Sequence, residues 1–295
     1  MTLRDIFTEL RPRQWTKNII VLAAYVFALG DTQQHLSLSM AGTAVMAMIL
    51  FAITSSGVYI WNDISDIELD RVHPVKCRRP VAAGNIPIPA AWFMAIICMG
   101  AGLLGAWLMA PRFGMIVTAY VILQAAYTLH LKHLPLVDVF VIAIGFVLRA
   151  VGGAVVIGVV ISPWLLICTF LMALFLALCK RRHEKRLMDG GQNQGFRPSL
   201  NATDERLFDQ LIAITAGAVI IAYAVYTQWP ETVAKFKTAH LSLTIPFVIF
   251  GIFRYLYLVY HLGKGDQPES ILLTDLPLLA AIVLFGLSVI LLVVI

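Results

Sequence analysis

The chain has 295 residues, 60% hydrophobic and 13% charged, with a mean hydropathy of +0.84, values that exclude a soluble domain and indicate an integral membrane protein. A formal charge of +5 fits membrane orientation and anionic lipid headgroups, and gives no reason to invoke nucleic acid. Cys77, Cys98, Cys168 and Cys179 show no paired spacing, so neither a disulfide framework nor a zinc site is indicated.

Apolar stretches long enough to cross a bilayer predict an all-α membrane protein of about nine transmembrane helices. They lie near 18–34, 39–60, 90–110, 113–130, 136–157, 162–179, 207–229, 240–260 and 274–295. The basic segment ahead of the first span has no clear small-residue cleavage site, so it is read as leading into a span and not as a removed signal. Nine spans put the amino terminus and the loops after spans 2, 4, 6 and 8 on one side. Of the 22 Lys and Arg residues, Arg149 and Arg254 fall within spans, and only Arg112, Lys235 and Lys237 fall on the other side. The positive-inside rule then makes the first side cytoplasmic. The two long polar loops, 61–90 and 180–206, both follow even-numbered spans, which hints at two related four-helix halves with a ninth helix added. Thr203, Asp204 and Glu205 at the end of the second loop read as a helix start.

The second span ends in IWNDISDIELDRVHPVKCRRP, with Asn62, Asp63, Asp66 and Asp70 in the spacing N-D-x-x-D-x-x-x-D. At about 100° per residue on a helix, Asn62, Asp66, Asp70 and Asp63 sit near ~0°, ~40°, ~80° and ~100°, with Glu68 on the opposite side. Carboxylates this close repel unless a cation lies among them, and Mg²⁺ takes oxygen ligands while bridging to substrate phosphates. His73 and Pro74 stop the helix, and Lys76, Arg78 and Arg79 follow in the same loop. Acids for a metal and bases for phosphates then lie side by side, which favours diphosphate chemistry over a merely solvated helix end.

Lys180, Arg181 and Arg182 follow directly from the sixth span. They serve either as positive-inside anchors or as phosphate contacts, as do Lys17 in RPRQWTKN, Tyr127 and Lys132 in YTLHLK, and Arg254 in the eighth span. His130 and His133 lack a third ligand nearby, and HEKRL at 183–187 lacks the second histidine of a metalloprotease helix. Arg149, well inside the fifth span, is expected to face the protein interior and pair with a carbonyl or an acid.

The aspartate motif, its place after the second span and the trailing K-x-R-R-P at 76–80 resemble the UbiA superfamily of membrane prenyltransferases along essentially the whole chain. RPRQWTKN at 11–18, YTLHLKH at 127–133, LALCKRRHEKRL at 176–187 and RYLYLVYHLGKGDQPESILLTDLPL at 254–278 look like its decaprenyl-phosphate phosphoribosyltransferase branch. The resemblance implies one transmembrane domain over 1–295, a UbiA-like helical bundle with a cytoplasm-facing active-site cavity, in the plasma or inner membrane. Aromatic prenyltransferases of the superfamily have a second aspartate-rich motif after the sixth helix. Here Lys180, Arg181, Arg182, His183 and Glu184 stand there instead, and Glu205 and Asp209 are not counted as its replacement, since acids are expected at a helix start.

The expected reaction is Mg²⁺-dependent transfer of 5-phosphoribose from phosphoribosyl diphosphate to a polyprenyl phosphate such as decaprenyl phosphate, to supply cell-wall arabinan. In that reading Asn62, Asp63, Asp66 and Asp70 hold the metal and the diphosphate. Lys76, Arg78, Arg79, Lys180, Arg181 and Arg182 neutralise phosphates, and Tyr127 and Lys132 position the donor, with Lys17 and Arg254 as further substrate contacts. Two other readings stay open, a prenyl diphosphate:aromatic prenyltransferase and, in a different class, a transporter using Arg149 and the membrane-depth acids. The sequence leaves the oligomeric state open, a homo-oligomer included.

Overall fold

The computed structural model describes residues 1–29, 37–160, 162–190, 198–263, 265 and 268–294. Thr2 opens α1 (Leu3–Glu9) with a reciprocal cap: its hydroxyl accepts from Asp5 N at 3.2 Å, and Asp5 Oδ2 accepts from Thr2 N at 2.7 Å. A 3-10 segment, Pro12–Leu22, then leads into α2 (Ala23–Ala28). The first expected span, 18–34, is thus a 3-10 run and one short α-helix, with residues 30–36 outside the described residues.

Helix α3 (Leu38–Ser65) has 28 residues, about 42 Å at ~1.5 Å per residue, against a hydrocarbon core of about 30 Å. The helix is therefore longer than the apolar layer, with Asn62 and Asp63 in its last turn. Asp66 is the junction to α4 (Ile67–Val72). After it come α5 (Ile88–Met109), α6 (Pro111–Leu129), α7 (Val137–Ile157), α8 (Pro163–Asp189), α9 (Glu205–Gln228), α10 (Pro230–Phe236), α11 (Ile245–Tyr260), α12 (Pro268–Thr274) and α13 (Leu276–Val294).

Among the described residues seven helices are long and apolar enough to cross a membrane, α11 being counted from His240 with its leading 3-10 turn; Leu276–Leu292 is a shorter apolar helix. The chain is a multi-pass membrane protein, and seven of the nine expected spans are matched by such helices among the described residues.

Pairing of helices follows residue size. On α5, Ala91, Ala95, Gly102 and Ala106 turn inward, while Ile96, Ile97, Leu104 and Leu108 face outward. A β-carbon on Gly102 would lie 2.0 Å from Thr54 Oγ1, and one on Gly57 would lie 2.7 Å from Ala95 O. Such close backbone approach is how helices associate where lipid is as apolar as leucine. Gly153 of α7 plays the same part against the 3-10 segment, since a β-carbon there would lie 1.8 Å from Val21 O. Aromatic and aliphatic side chains fill two main cores, one of Phe51, Phe113, Val117 and Tyr120, the other of Phe175, Leu178, Ile212, Tyr255 and Leu258.

One expectation about the loops is corrected. The segment after the sixth span was expected to be a loop from 180, but α8 runs on to Asp189. Hydropathy ends at Cys179; helix propensity does not, because Lys, Arg, Glu, Leu and Met are good helix formers. Lys180, Arg181 and Arg182 are therefore helical residues. Asp204 caps α9, accepting from Leu207 N at 2.8 Å, at the expected helix start. All four cysteines are free thiols.

Candidate active site

The four motif residues share one face because the helix breaks only gently at Asp66. Asp66 N donates to Asn62 O at 2.9 Å and Asp70 N to Asp66 O at 2.8 Å, so the i→i−4 pattern passes through the junction. Glu68 turns away and pairs with Arg71 at 2.9 Å on the exposed side.

Three cations meet the three aspartates. Arg11 pairs with Asp63. Arg79 Nη1 bridges Asp63 Oδ1 at 2.8 Å and Asp70 Oδ2 at 2.5 Å. Lys132 Nζ, buried, donates to Asp66 Oδ1 at 2.6 Å, while Asn62 Nδ2 donates to Asp66 Oδ2 at 3.0 Å. Burial pushes the Asp70 carboxyl up from its usual value against the pull of Arg79. The loop carrying Arg79 is folded by His73, whose Nδ1 accepts from Val75 N at 3.1 Å and Lys76 N at 3.3 Å.

The oxygen donors suit a hard divalent cation, and Asn62 Oδ1 is buried with no hydrogen-bond partner. Among the described residues no three His, Cys, Asp or Glu side chains are gathered tightly enough to hold a metal by themselves. A divalent cation at this face would need oxygens from a substrate phosphate beside those of Asn62, Asp63, Asp66 and Asp70.

Two residues of this site lie outside the expected set. Arg11 has φ 54° and ψ 57°, a left-handed conformation rare for a side chain of this size, and the turn it makes before Pro12 brings its guanidinium to Asp63 and within 5.4 Å of the Tyr59 ring. Glu9, only 1% exposed, lies beside Asp63 and Arg11. Burial first, then the negative charge of Asp63, pushes its carboxyl up to about 7 from 4.5. A raised folded-state value means stability present at low pH is lost as pH rises from 4.5 through about 7. Glu9→Gln is accordingly expected to melt at a higher temperature than the wild type at pH 8, and the gap should close in melts below pH 4.5.

The remaining expected residues divide between this site and others. Tyr127 is buried, and its Oη accepts from Arg181 Nη2 at 3.3 Å. Arg181 is itself enclosed, donating to Asp138 Oδ2 at 2.5 Å and to Glu184. Arg182 points elsewhere, to Asp209 at 2.5 Å and Glu205 at 2.7 Å, with the Tyr260 ring 4.1 Å away. Glu205 and Asp209 thus serve as ion-pair partners for Arg182. Arg254 pairs with Asp275 at 2.9 Å, and Asp275 also accepts from Leu278 N at 3.0 Å, which ties α11 to the start of α13. Lys17, Lys76 and Lys180 are half-buried, and Arg78 is exposed. Arg149 meets the carbonyl of Gly145 at 3.0 Å, together with Asn18 and Tyr120.

Residues 19–261 match the UbiA prenyltransferase family. A decaprenyl-phosphate phosphoribosyltransferase of Mycobacterium tuberculosis is 33% identical over 271 residues, 92% of this chain and 88% of that one. Its counterpart in Corynebacterium glutamicum is 32% identical, over 90% of this chain and 80% of the relative. A UbiA homolog from Archaeoglobus fulgidus, solved with GPP and Mg²⁺ bound, has the same fold, with a TM-score of 0.70 at 18% identity over 97% of this chain and 98% of that one. The aspartate face, its cationic partners, the helical bundle around them and these matches make this chain a member of the UbiA prenyltransferase family.

Proposed function

We propose that the protein transfers 5-phosphoribose from phosphoribosyl diphosphate to a polyprenyl phosphate such as decaprenyl phosphate, with Mg²⁺, for cell-wall arabinan precursors, and that the aspartate face opens on the cytoplasm. The observation that carries this reading is the matched set of three aspartates and three cations at the end of α3, supported by relatives of that activity over most of the chain. Mg²⁺ bound there stabilises the negative charge that grows on a departing diphosphate. Arg11, Arg79 and Lys132 neutralise the aspartates, and the same side chains would donate to phosphate oxygens where a divalent cation held the carboxylates. Lys76 and Lys180 are further phosphate contacts, and Tyr127, held by Arg181, borders the donor.

A phosphate oxygen of the acceptor attacks C1 of the ribose, the bond from C1 to the diphosphate oxygen breaks, and diphosphate leaves with the bonding pair. The attacking oxygen is anionic near neutral pH, so no side chain has to remove a proton. Purified protein in detergent with Mg²⁺ is expected to convert phosphoribosyl diphosphate and a polyprenyl phosphate into lipid-linked phosphoribose plus diphosphate. Lys180→Ala should weaken use of the donor by about tenfold, as a lost charge-assisted contact does. Prenylation of 4-hydroxybenzoate from a prenyl diphosphate, with phosphoribosyl diphosphate inert, would overturn this proposal and leave the family assignment standing.

A further inference from the structure

Among the described residues the other enclosed arginines face carboxylates: Arg11 at Asp63, Arg181 at Asp138 and Glu184, Arg182 at Asp209. Arg149 does not. It lies eleven residues into α7 from Asp138, about 16 Å along the axis at ~1.5 Å per residue, and is 4% exposed. Its Nε donates to Asn18 Oδ1 at 2.8 Å, Nη1 to Gly145 O at 3.0 Å and Nη2 to Tyr120 Oη at 2.8 Å. Neutral acceptors stabilise a guanidinium without cancelling its charge, and a net charge at this depth marks a substrate path. Those bonds use three of the five N–H groups. One N–H on each terminal nitrogen is left over, and two such groups can donate end-on to two oxygens of one phosphate.

Polar side chains run from Arg149 along α6 toward Tyr127. Tyr120, Gln124 and Tyr127 occupy one face of α6, from Arg149 up to Arg181. Gln124 Nε2 and Arg149 Nη1 lie 3.3 and 3.5 Å from where a β-carbon on Gly145 would sit, so the glycine lets two donors converge. Asn18 Nδ2 contacts Ser55 Oγ at 3.4 Å, and Ser55 precedes Asn62 by two turns of α3.

We propose that Arg149, with Gln124 beside it and Asn18 and Tyr120 holding it, is a phosphate-monoester subsite at the inner end of the active site, separate from the aspartates that take the diphosphate. It rests on the phosphoribosyl-transfer reading only in that both substrates there carry such a group, the lipid phosphate and the 5-phosphate of the donor.

Asn18→Asp tests it. A carboxylate at 18 keeps Arg149 anchored but occupies its charge, so a merely structural Arg149 would be unharmed. Thermal unfolding of the full chain in detergent, without Mg²⁺, is followed with geranylgeranyl phosphate, with ribose 5-phosphate and with geranylgeraniol. One of the two phosphates is expected to raise the wild-type melting temperature, which names the source, while the alcohol does not. Asn18→Asp should melt no lower than the wild type when ligand-free, yet bind that phosphate at least ~10-fold more weakly. Gln124→Glu, at a half-buried position, should do the same from the other side and serves if Asn18→Asp does not fold. Wild-type affinity for both phosphates in a folded variant, or no stabilisation of the wild type by either, overturns the subsite. Absence of turnover with phosphoribosyl diphosphate and polyprenyl phosphate would count against the reaction alone, because the binding measurements need no turnover.

Discussion

Asp66→Ala is expected to abolish Mg²⁺-dependent turnover, a loss of about 10³ or more, while Glu68→Ala keeps most of it. The two acids are two residues apart and on opposite sides. Asp66 gathers Lys132 and Asn62 onto the face shared with Asp63 and Asp70. Glu68, whose side chain is 81% exposed, reaches only Arg71, a surface pair worth about 0–1 kcal/mol. A ligand lost from the metal face raises the barrier to diphosphate departure by several kcal/mol, and ~1.4 kcal/mol is a factor of ten. Alanine at 66 also strands Lys132, so Asp66→Asn is the companion variant: it keeps an acceptor for Lys132 and removes the charge. Equal activity of well-folded Asp66→Asn and Glu68→Ala would remove the metal face from the mechanism.

What was legible in the sequence is what has a period or a length. Long apolar runs gave helices that start and stop within a few residues of α3, α5, α6, α7, α9 and α11. The acidic arc followed from helical spacing alone. The first span was not legible as it stands, because hydropathy records apolarity and not backbone type, and Pro12–Leu22 is 3-10. Partnerships across the fold were not legible either: Arg11 meets Asp63 over 52 positions and Lys132 meets Asp66 over 66. Nothing local distinguishes Arg11 from the exposed Arg13. Asp138 gave only the ordinary signal of an acid in a helix's first turn.

The trio Lys180, Arg181 and Arg182 shows how one missing boundary misdirects a reading. Taken as a loop, three bases in a row can converge on one phosphate. On α8 they cannot, because successive residues are about 100° apart. Arg181 accordingly turns to Asp138, Glu184 and Tyr127, and Arg182 to Glu205, Asp209 and Tyr260. Two of the three bases that stand where the aromatic enzymes have acids are thus bound to acids of this same chain.

The largest effect on stability is therefore expected at Arg181. Arg181→Ala takes from Asp138 and Glu184, both buried, the guanidinium they share, and breaking a buried pair from one side costs about 3–5 kcal/mol. The variant should melt well below the wild type or fail to be recovered folded. Tyr127, which loses its hydrogen bond from Arg181, should become less ordered, with a larger KM for phosphoribosyl diphosphate in whatever protein is recovered. Removing the charges together separates the two effects. Arg181→Met combined with Asp138→Asn and Glu184→Gln should regain most of the melting temperature, since uncharged groups of similar volume lose no desolvation energy, yet it should not regain the wild-type KM. An Arg181→Ala protein that melts with the wild type and differs only in its use of phosphoribosyl diphosphate would contradict the ion-pair account and return Arg181 to the substrate.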